Sequence, residues 1–196
     1  MNKSNETHIK PEGPWSKNPS PADLEIINQQ LGRAPEGIYE IPVREISNGR
    51  PAVLKVWPIV RKNPFPNLYW LSHPELVRAI SHLESTGLIK ELEDEILPAN
   101  NSMHEKLKLA HSSYRDLRQQ ELQRYLKEFS PDSTLELNSS QLESLANRGI
   151  GGVQDFSRVR CLHMHYAHHL AHPGVNPIGE YLDEHFELMP QKYVKL

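Results

Sequence analysis

The segment Cys161-Leu-His-Met-His-Tyr-Ala-His-His-Leu-Ala-His172 holds five of the chain's eleven histidines behind its only cysteine. Thiolate and imidazole are soft, metal-avid donors, and imidazole titrates near neutral pH. At about 100° per residue, Cys161, His165, His168 and His172 share one helix face. His169 falls at its flank and His163 on the far side. Adjacent donors on one face can hold an ion between them, as histidines at i and i+4 do in zinc enzymes. The stripe runs for about three turns, too long for one ion. A mononuclear site therefore takes two donors from the stripe and imports the rest. Val159, Leu162, Tyr166, Ala167, Leu170 and Ala171 must supply the core contacts of this helix, which leaves the Cys/His stripe partly exposed or at an interface. Its role is then a solvated face, a transition-metal site, or an acid–base or anion-binding surface.

A glycine loop, Gly149-Ile-Gly-Gly152, lies a few residues upstream. Glycine lets backbone N–H groups turn toward a ligand, and a helix N-terminus attracts anions. Gly149, Gly151 and Gly152, flanked by Arg148 and Arg160, form a candidate anion cradle, and Arg33 is a further candidate clamp. The loop lacks the Lys-Ser/Thr of a P-loop and is not GxGxxG. A helix stop followed by a turn is the simpler explanation, since Asp155 or Ser157 can already cap the next helix. His111, Arg115 and Arg118 lie near one face of a long helix and read as solvated.

The elements that must position these groups follow from caps and periodicity. Ser20-Pro-Ala-Asp23 opens a first helix that Gly32 stops. Asn48-Gly49, between Ile38–Ile46 and Ala52–Trp57, is a hairpin signal, and Pro42 confines the first strand to an edge or a bulge. Leu68-Tyr-Trp-Leu71 is a third extended segment. A helix begins near Pro74 and ends at Gly87. Capping boxes at Ser102–Glu105 and Ser140–Glu143 open a long helix to about Glu128 and a short one ending at Gly149. The histidine helix is expected from about Ser157 to His172, abutting the glycine loop and stopped by Pro173-Gly174. Asn176-Pro177 opens a last helix. This predicts one α+β domain over about residues 20–190, behind a flexible lead at 1–19. Its small antiparallel sheet (hairpin about 38–57) packs with five to six helices.

The net charge of −3 gives no basic footprint for nucleic acid. No apolar run approaches the roughly 20 residues of a membrane helix. One cysteine excludes an internal disulfide, which fits a reducing, cytoplasmic setting.

Several segments together resemble the bacterial family known as domain of unknown function 501. They are Leu31-Gly-Arg-Ala-Pro-Glu-Gly37, Pro64-Phe-Pro-Asn-Leu-Tyr-Trp-Leu-Ser-His-Pro74, Leu83-Glu-Ser-Thr-Gly87, Gly149-Ile-Gly-Gly152, Arg160-Cys-Leu-His163 and Asn176-Pro-Ile-Gly179. The resemblance covers about residues 22–182. It implies a small intracellular bacterial protein and no particular reaction. The family's aromatic segment usually reads Tyr-Trp-Leu-Thr-Cys-Pro, where this chain has Ser72-His73-Pro74. Cysteine to histidine is a poor core exchange but a tolerable one between metal ligands. The resemblance thus nominates His73 to join Cys161 with His163 or His165.

These readings converge on a binding protein with a Cys/His-centred transition-metal site, zinc being the expected ion, or an anion site. The candidate metal ligands are His73, Cys161, His163, His165 and His168. Two alternatives stand beside it. One is a non-enzymatic regulatory or assembly module that docks a protein partner through the histidine-rich helix. The other is a small hydrolase or acid–base enzyme acting on a phosphorylated or carboxylated metabolite, with His163 as acid–base and arginines as clamps.

Overall fold

The computed structural model describes residues 16–33, 36–129 and 137–196. Most of the expected lead, residues 1–15, lies outside them. The fold is α+β. A four-stranded antiparallel sheet runs in the order β5 (Tyr69–Leu71), β2 (Pro51–Val56), β1 (Ile38–Glu45), β6 (Tyr193–Lys195). Beside it sits a two-stranded hairpin of β3 (Ile59–Val60) and β4 (Asn63–Pro64). Six helices of nine or more residues surround the sheet: α1 (Pro21–Leu31), α2 (Pro74–Ser85), α5 (Asn101–Phe129), α6 (Ser139–Asn147), α7 (Leu162–Ala171) and α8 (Pro177–His185). Between α2 and α5 the chain forms short helical turns α3 (Leu88–Glu91) and α4 (Leu97–Ala99), joined by a π-helical turn at Leu92–Ile96.

The strand β6 was not expected. It pairs with β1 on the side away from β2, so β1 is interior rather than an edge. Pro42 falls where the β1–β2 register shifts between Glu40 and Val43, which is the bulge its missing N–H demands. Alternation along the strands sorts the two faces. Ile41 and Leu54 meet Ile27 of α1, with Leu31, Ile38 and Trp70 against them. Val43, Val53, Tyr69 and Leu71 face the larger core formed with α2, α5, α7 and α8.

The caps explain where helices begin. Ser20 and Asp23 form the expected reciprocal box, and Gly32 adopts the left-handed C-cap. Both later boxes are two residues out. The side chain of Asn100, not Ser102, accepts from Met103 N–H at 3.0 Å. Likewise Asn138 exchanges bonds with Gln141 in place of Ser140 with Glu143. Asparagine caps at least as well as serine, so the nearer serine box loses. The histidine helix also starts late, at Leu162 rather than Ser157. Asp155 accepts from Ser157 N–H and Oγ–H and closes a local turn. Glu93, from the π-helical turn, then accepts from Val159 N–H at 2.7 Å and holds the chain extended.

Helix α7 is the centre of the molecule. It packs against α8, β5 and α2 at once. His165, His168 and His169 are all buried, so the stripe expected to be partly exposed lies in the core. Polar pairing makes this tolerable. The carbonyl oxygen of Asn176 accepts from Ile178 and Gly179 N–H, and its amide nitrogen lies 3.1 Å from His168 Nδ1 and 3.2 Å from His165 Nδ1. Asp183 accepts from Tyr166 O–H and His169 Nε2–H, both at 2.7 Å. Tyr69 Oη and His172 Nε2 are 2.8 Å apart. Gly179 lets α8 approach this closely, since a Cβ there would lie 2.1 Å from the Cβ of His169.

Of the three residues read as a solvated face of α5, His111 and Arg118 are buried, whereas Arg115 stays partly exposed beside Asp116. Ile150 N–H donates to His111 Nδ1 at 2.9 Å, and His111 Nε2–H donates to the Arg158 carbonyl at 3.1 Å. The Arg118 guanidinium donates to the carbonyls of Leu145, Pro66 and Arg148, pinning the end of α6 and the entry to the glycine loop.

Burial holds the imidazoles well below the ordinary histidine pKa: His111 and His172 at about 4 and His165 at about 3, with His168 also far down. Above about pH 6.5 these rings are neutral whether folded or unfolded, and they cost nothing. Below it the unfolded chain takes up protons that the native chain refuses, so stability falls until about pH 4. The slope is roughly 1.4 kcal/mol per pH unit for each such histidine. Urea unfolding at pH 7.5 and 5.5 should therefore show a much lower midpoint in acid, and an unchanged midpoint would contradict the buried neutral cluster. Gly179→Ala should lower stability by about 1–3 kcal/mol or more through overpacking, measured in the same way. A neutral effect would mean that α7 and α8 are not in contact there.

Candidate metal centre

Because α7 begins at Leu162, Cys161 is its N-cap, with extended φ −150° and ψ 113°. It therefore leaves the stripe of His165, His168 and His172 and faces α2 instead. Among the described residues, the one group of three or more His, Cys, Asp or Glu side chains with converging donor atoms is Glu84, Cys161 and His163. One ligand atom from each lies within 4.8 Å of the others. Donors around a tetrahedral zinc lie about 3.3–3.8 Å apart for bonds of 2.0–2.3 Å. The three atoms need only a small inward movement to meet an ion.

Each donor is held by the local fold. Glu84 sits in the last turn of α2, and its Oε1 accepts from Leu162 N–H at 2.6 Å, which caps α7 from a different helix. That bond fixes Cys161 and His163 on either side of the carboxylate. His163 Nε2 lies 3.2 Å from the Val77 carbonyl and 3.1 Å from Ser81 Oγ. A carbonyl can only accept, so Nε2 carries the proton. Nδ1 then points at Glu84 Oε1, 3.2 Å away. A bare Nδ1 against a carboxylate oxygen is repulsive unless a positive charge lies between them, and that charge is a proton or a metal ion. A ligand histidine that donates its other N–H to a backbone carbonyl is the usual arrangement in metal sites. Burial pushes the Cys161 thiol above its ordinary pKa, and the neighbouring Glu84 charge adds to this. Without a cation the sulfur is a thiol, and a bound metal would reverse that balance.

The remaining expected ligands go elsewhere. His73 N-caps α2, with Nε2 3.1 Å from Glu45 Oε2 and Nδ1 3.3 Å from Tyr193 Oη. Glu84 lies eleven positions further along that helix, about 16 Å at 1.5 Å per residue. The structure thus does not group His73 with Cys161. His165 and His168 belong to the Asn176 network in the core. Glu84 was missed as a donor, although it stands within Leu83-Glu-Ser-Thr-Gly87, one of the segments that carries the family resemblance.

The glycine loop is spoken for internally. Gly149 N–H donates to the Val153 carbonyl, Ile150 N–H to His111, and Gly152 N–H to the Gly149 carbonyl. Its φ values at Gly151 and Gly152 are left-handed, and a Cβ at Gly149 would lie 2.5 Å from His111 Nδ1. The glycines therefore serve a tight turn against a buried histidine, and the helix whose dipole was to attract an anion starts ten residues beyond Gly152. Arg148 reaches back to the Gly152 carbonyl at 3.4 Å, Arg160 is exposed, and Arg33 lies over Trp70. These arginines do not converge with the loop on one anion cradle.

Glu84 has two separable roles, helix cap and charged donor. Glu84→Gln keeps an acceptor for Leu162 N–H, whereas Glu84→Ala removes it. The alanine variant should lose about 1–2 kcal/mol in chemical denaturation and the glutamine variant clearly less. Equal losses would assign the stabilisation to charge rather than capping.

None of the described helices is long and apolar enough to cross a membrane. No curated protein and no solved structure gives a significant match to this chain. The profile of one family, described as protein of unknown function (DUF501), matches residues 43–184, a span that contains Glu84, Cys161 and His163. The chain belongs to that family.

Proposed function

We propose that this protein binds a transition-metal ion of the zinc type through Glu84, Cys161 and His163. The observation that carries the reading is the His163 ring. Its Nε2–H is engaged by Val77, which turns Nδ1 toward a carboxylate oxygen beside a cysteine sulfur. One sulfur, one nitrogen and one oxygen donor suit a borderline-soft divalent ion. Three protein donors leave a fourth position for water or substrate, the donor count of catalytic rather than closed structural zinc. Held by Cys161, His163 and Glu84, such an ion would supply Lewis acidity toward a water or substrate oxygen in the fourth position. The burial of His165, His168 and His169 weighs against docking a partner through a histidine face.

The test is zinc titration of the tag-free, metal-depleted protein by calorimetry in buffers of different ionisation heat, with elemental analysis of the product. One ion should bind per chain, with proton release from Cys161 and an affinity that rises with pH. Cys161→Ser and His163→Ala should each weaken binding by more than the roughly 10–100-fold typical of changes to a ligand's outer partners. Asn is a poor donor at position 84, so Glu84→Asn should do the same. Absence of stoichiometric uptake, or uptake untouched by these substitutions, would overturn the proposal.

A further inference from the structure

The opposite side of the sheet offers a second, unrelated site. Helix α1 covers only part of the face that carries Ile41 and Leu54. Beyond its end at Leu31 the face opens into a cavity of about 370 Å³, walled by Leu31, Ile38, Val56, Val60, Phe65 and Trp70. That volume lies in the range of small-molecule sites, and such sites are mostly apolar with a few placed polar groups. Here the polar groups are at the rim: Arg33, Arg61 and Glu36. Arg61 is paired with Glu36. Arg33 has no carboxylate partner among the described residues, and its guanidinium lies 4.9 Å from the centroid of the Trp70 ring. One uncompensated positive charge therefore stands at the mouth of an apolar chamber. The Phe65 and Trp70 rings, with centroids 5.3 Å apart, form an aromatic wall below it.

The β3–β4 turn that closes one side is built at a cost. Arg61 and Lys62 both have left-handed backbones, with φ of 51° and 63°. Such a two-residue turn ordinarily takes Asn-Gly, and each non-glycine residue there is strained by about 1 kcal/mol or more. Gly37 permits the turn to pack in, since a Cβ there would lie 2.6 Å from Val60 Cγ2. The turn places Arg61 across the mouth from α1, where it neutralises Glu36 and leaves Arg33 to a ligand.

We propose that this cavity binds a small aromatic monocarboxylate, with its ring system between the apolar walls and its carboxylate on Arg33. Aromatic walls favour a flat apolar body, and a single free guanidinium favours a single carboxylate.

The probes are 1-naphthaleneacetate and its uncharged analogue, 1-naphthaleneacetamide, titrated into the full chain. Binding is read from the indole N–H resonances, assigned by Trp15→Phe, Trp57→Phe and Trp70→Phe variants. The acid should shift the Trp70 resonance saturably and leave that of Trp57 in place. The amide should bind about fivefold more weakly, the discrimination that one exposed ion pair supplies. Arg33→Gln, at an exposed position, should erase that difference without lowering stability. No saturable Trp70 shift with the acid up to about 1 mM, where binding is worth only about 4 kcal/mol, would overturn the proposal. Equal affinity for acid and amide would overturn it as well, as would a preference that survives Arg33→Gln.

Discussion

The structure depends on the burial of α7 from His165 to Ala171. Three of its histidines, His165, His168 and His169, are buried, and each needs a polar partner. The fold gives each buried ring one partner locally, and His165 Nε2 and His169 Nδ1 make no hydrogen bond. Asn176, the cap of the next helix, satisfies its own first turn with its oxygen and turns its amide toward His165 and His168. Asp183, in the last turn of that helix, takes the Tyr166 and His169 donors. Thus α8 is more than a cover for α7. It supplies the hydrogen-bonding groups that make α7 buriable, and Gly179 lets it come near enough to do so.

The proposed metal centre follows from the same packing. Fixing α7 between the sheet, α8 and α2 brings its first N–H against the end of α2, where Glu84 accepts it. The cap residue is then Cys161, and the first-turn residue that shares the carboxylate is His163. One carboxylate oxygen therefore both starts the helix and gathers the donors. The histidines deeper in the helix serve packing, and His163 at its entry is the one whose ring faces the Glu84 carboxylate. The cavity beyond α1 lies on the other side of the sheet and shares no residue with this arrangement.

Much of the architecture was legible because it is local. Ser20 with Asp23, Gly32 and Gly87, the Asn48-Gly49 hairpin and the Pro173-Gly174 stop all act within a few residues of themselves. The later helix starts were misjudged by two residues because Asn100 and Asn138 offered caps upstream of the serine boxes. Strand β6 is three residues long and owes its pairing to β1, so its own sequence gives no periodic signal. Cys161 and His163 were legible as candidate donors by chemical type. Cys161 was placed on the stripe of His165, His168 and His172 because the helical wheel was extended through 157–161, a segment that Glu93 and Glu84 hold out of the helix. The Glu84 contact spans 78 residues to Leu162, and no spacing rule encodes it. The histidines read as a polar stripe, because polarity alone does not show whether an asparagine and an aspartate on another helix will satisfy them.

The central claim is that one cysteine sulfur, one imidazole and one carboxylate bind a single divalent ion. Cobalt(II) reports on that donor set directly, since its absorption distinguishes thiolate from nitrogen and oxygen ligands and four-coordinate from six-coordinate geometry. The account predicts a one-equivalent cobalt complex with a sulfur-to-metal charge-transfer band and intense four-coordinate d–d bands, the charge-transfer band vanishing in Cys161→Ser. A weak six-coordinate spectrum with no sulfur band, or a sulfur band that persists without Cys161, would contradict it.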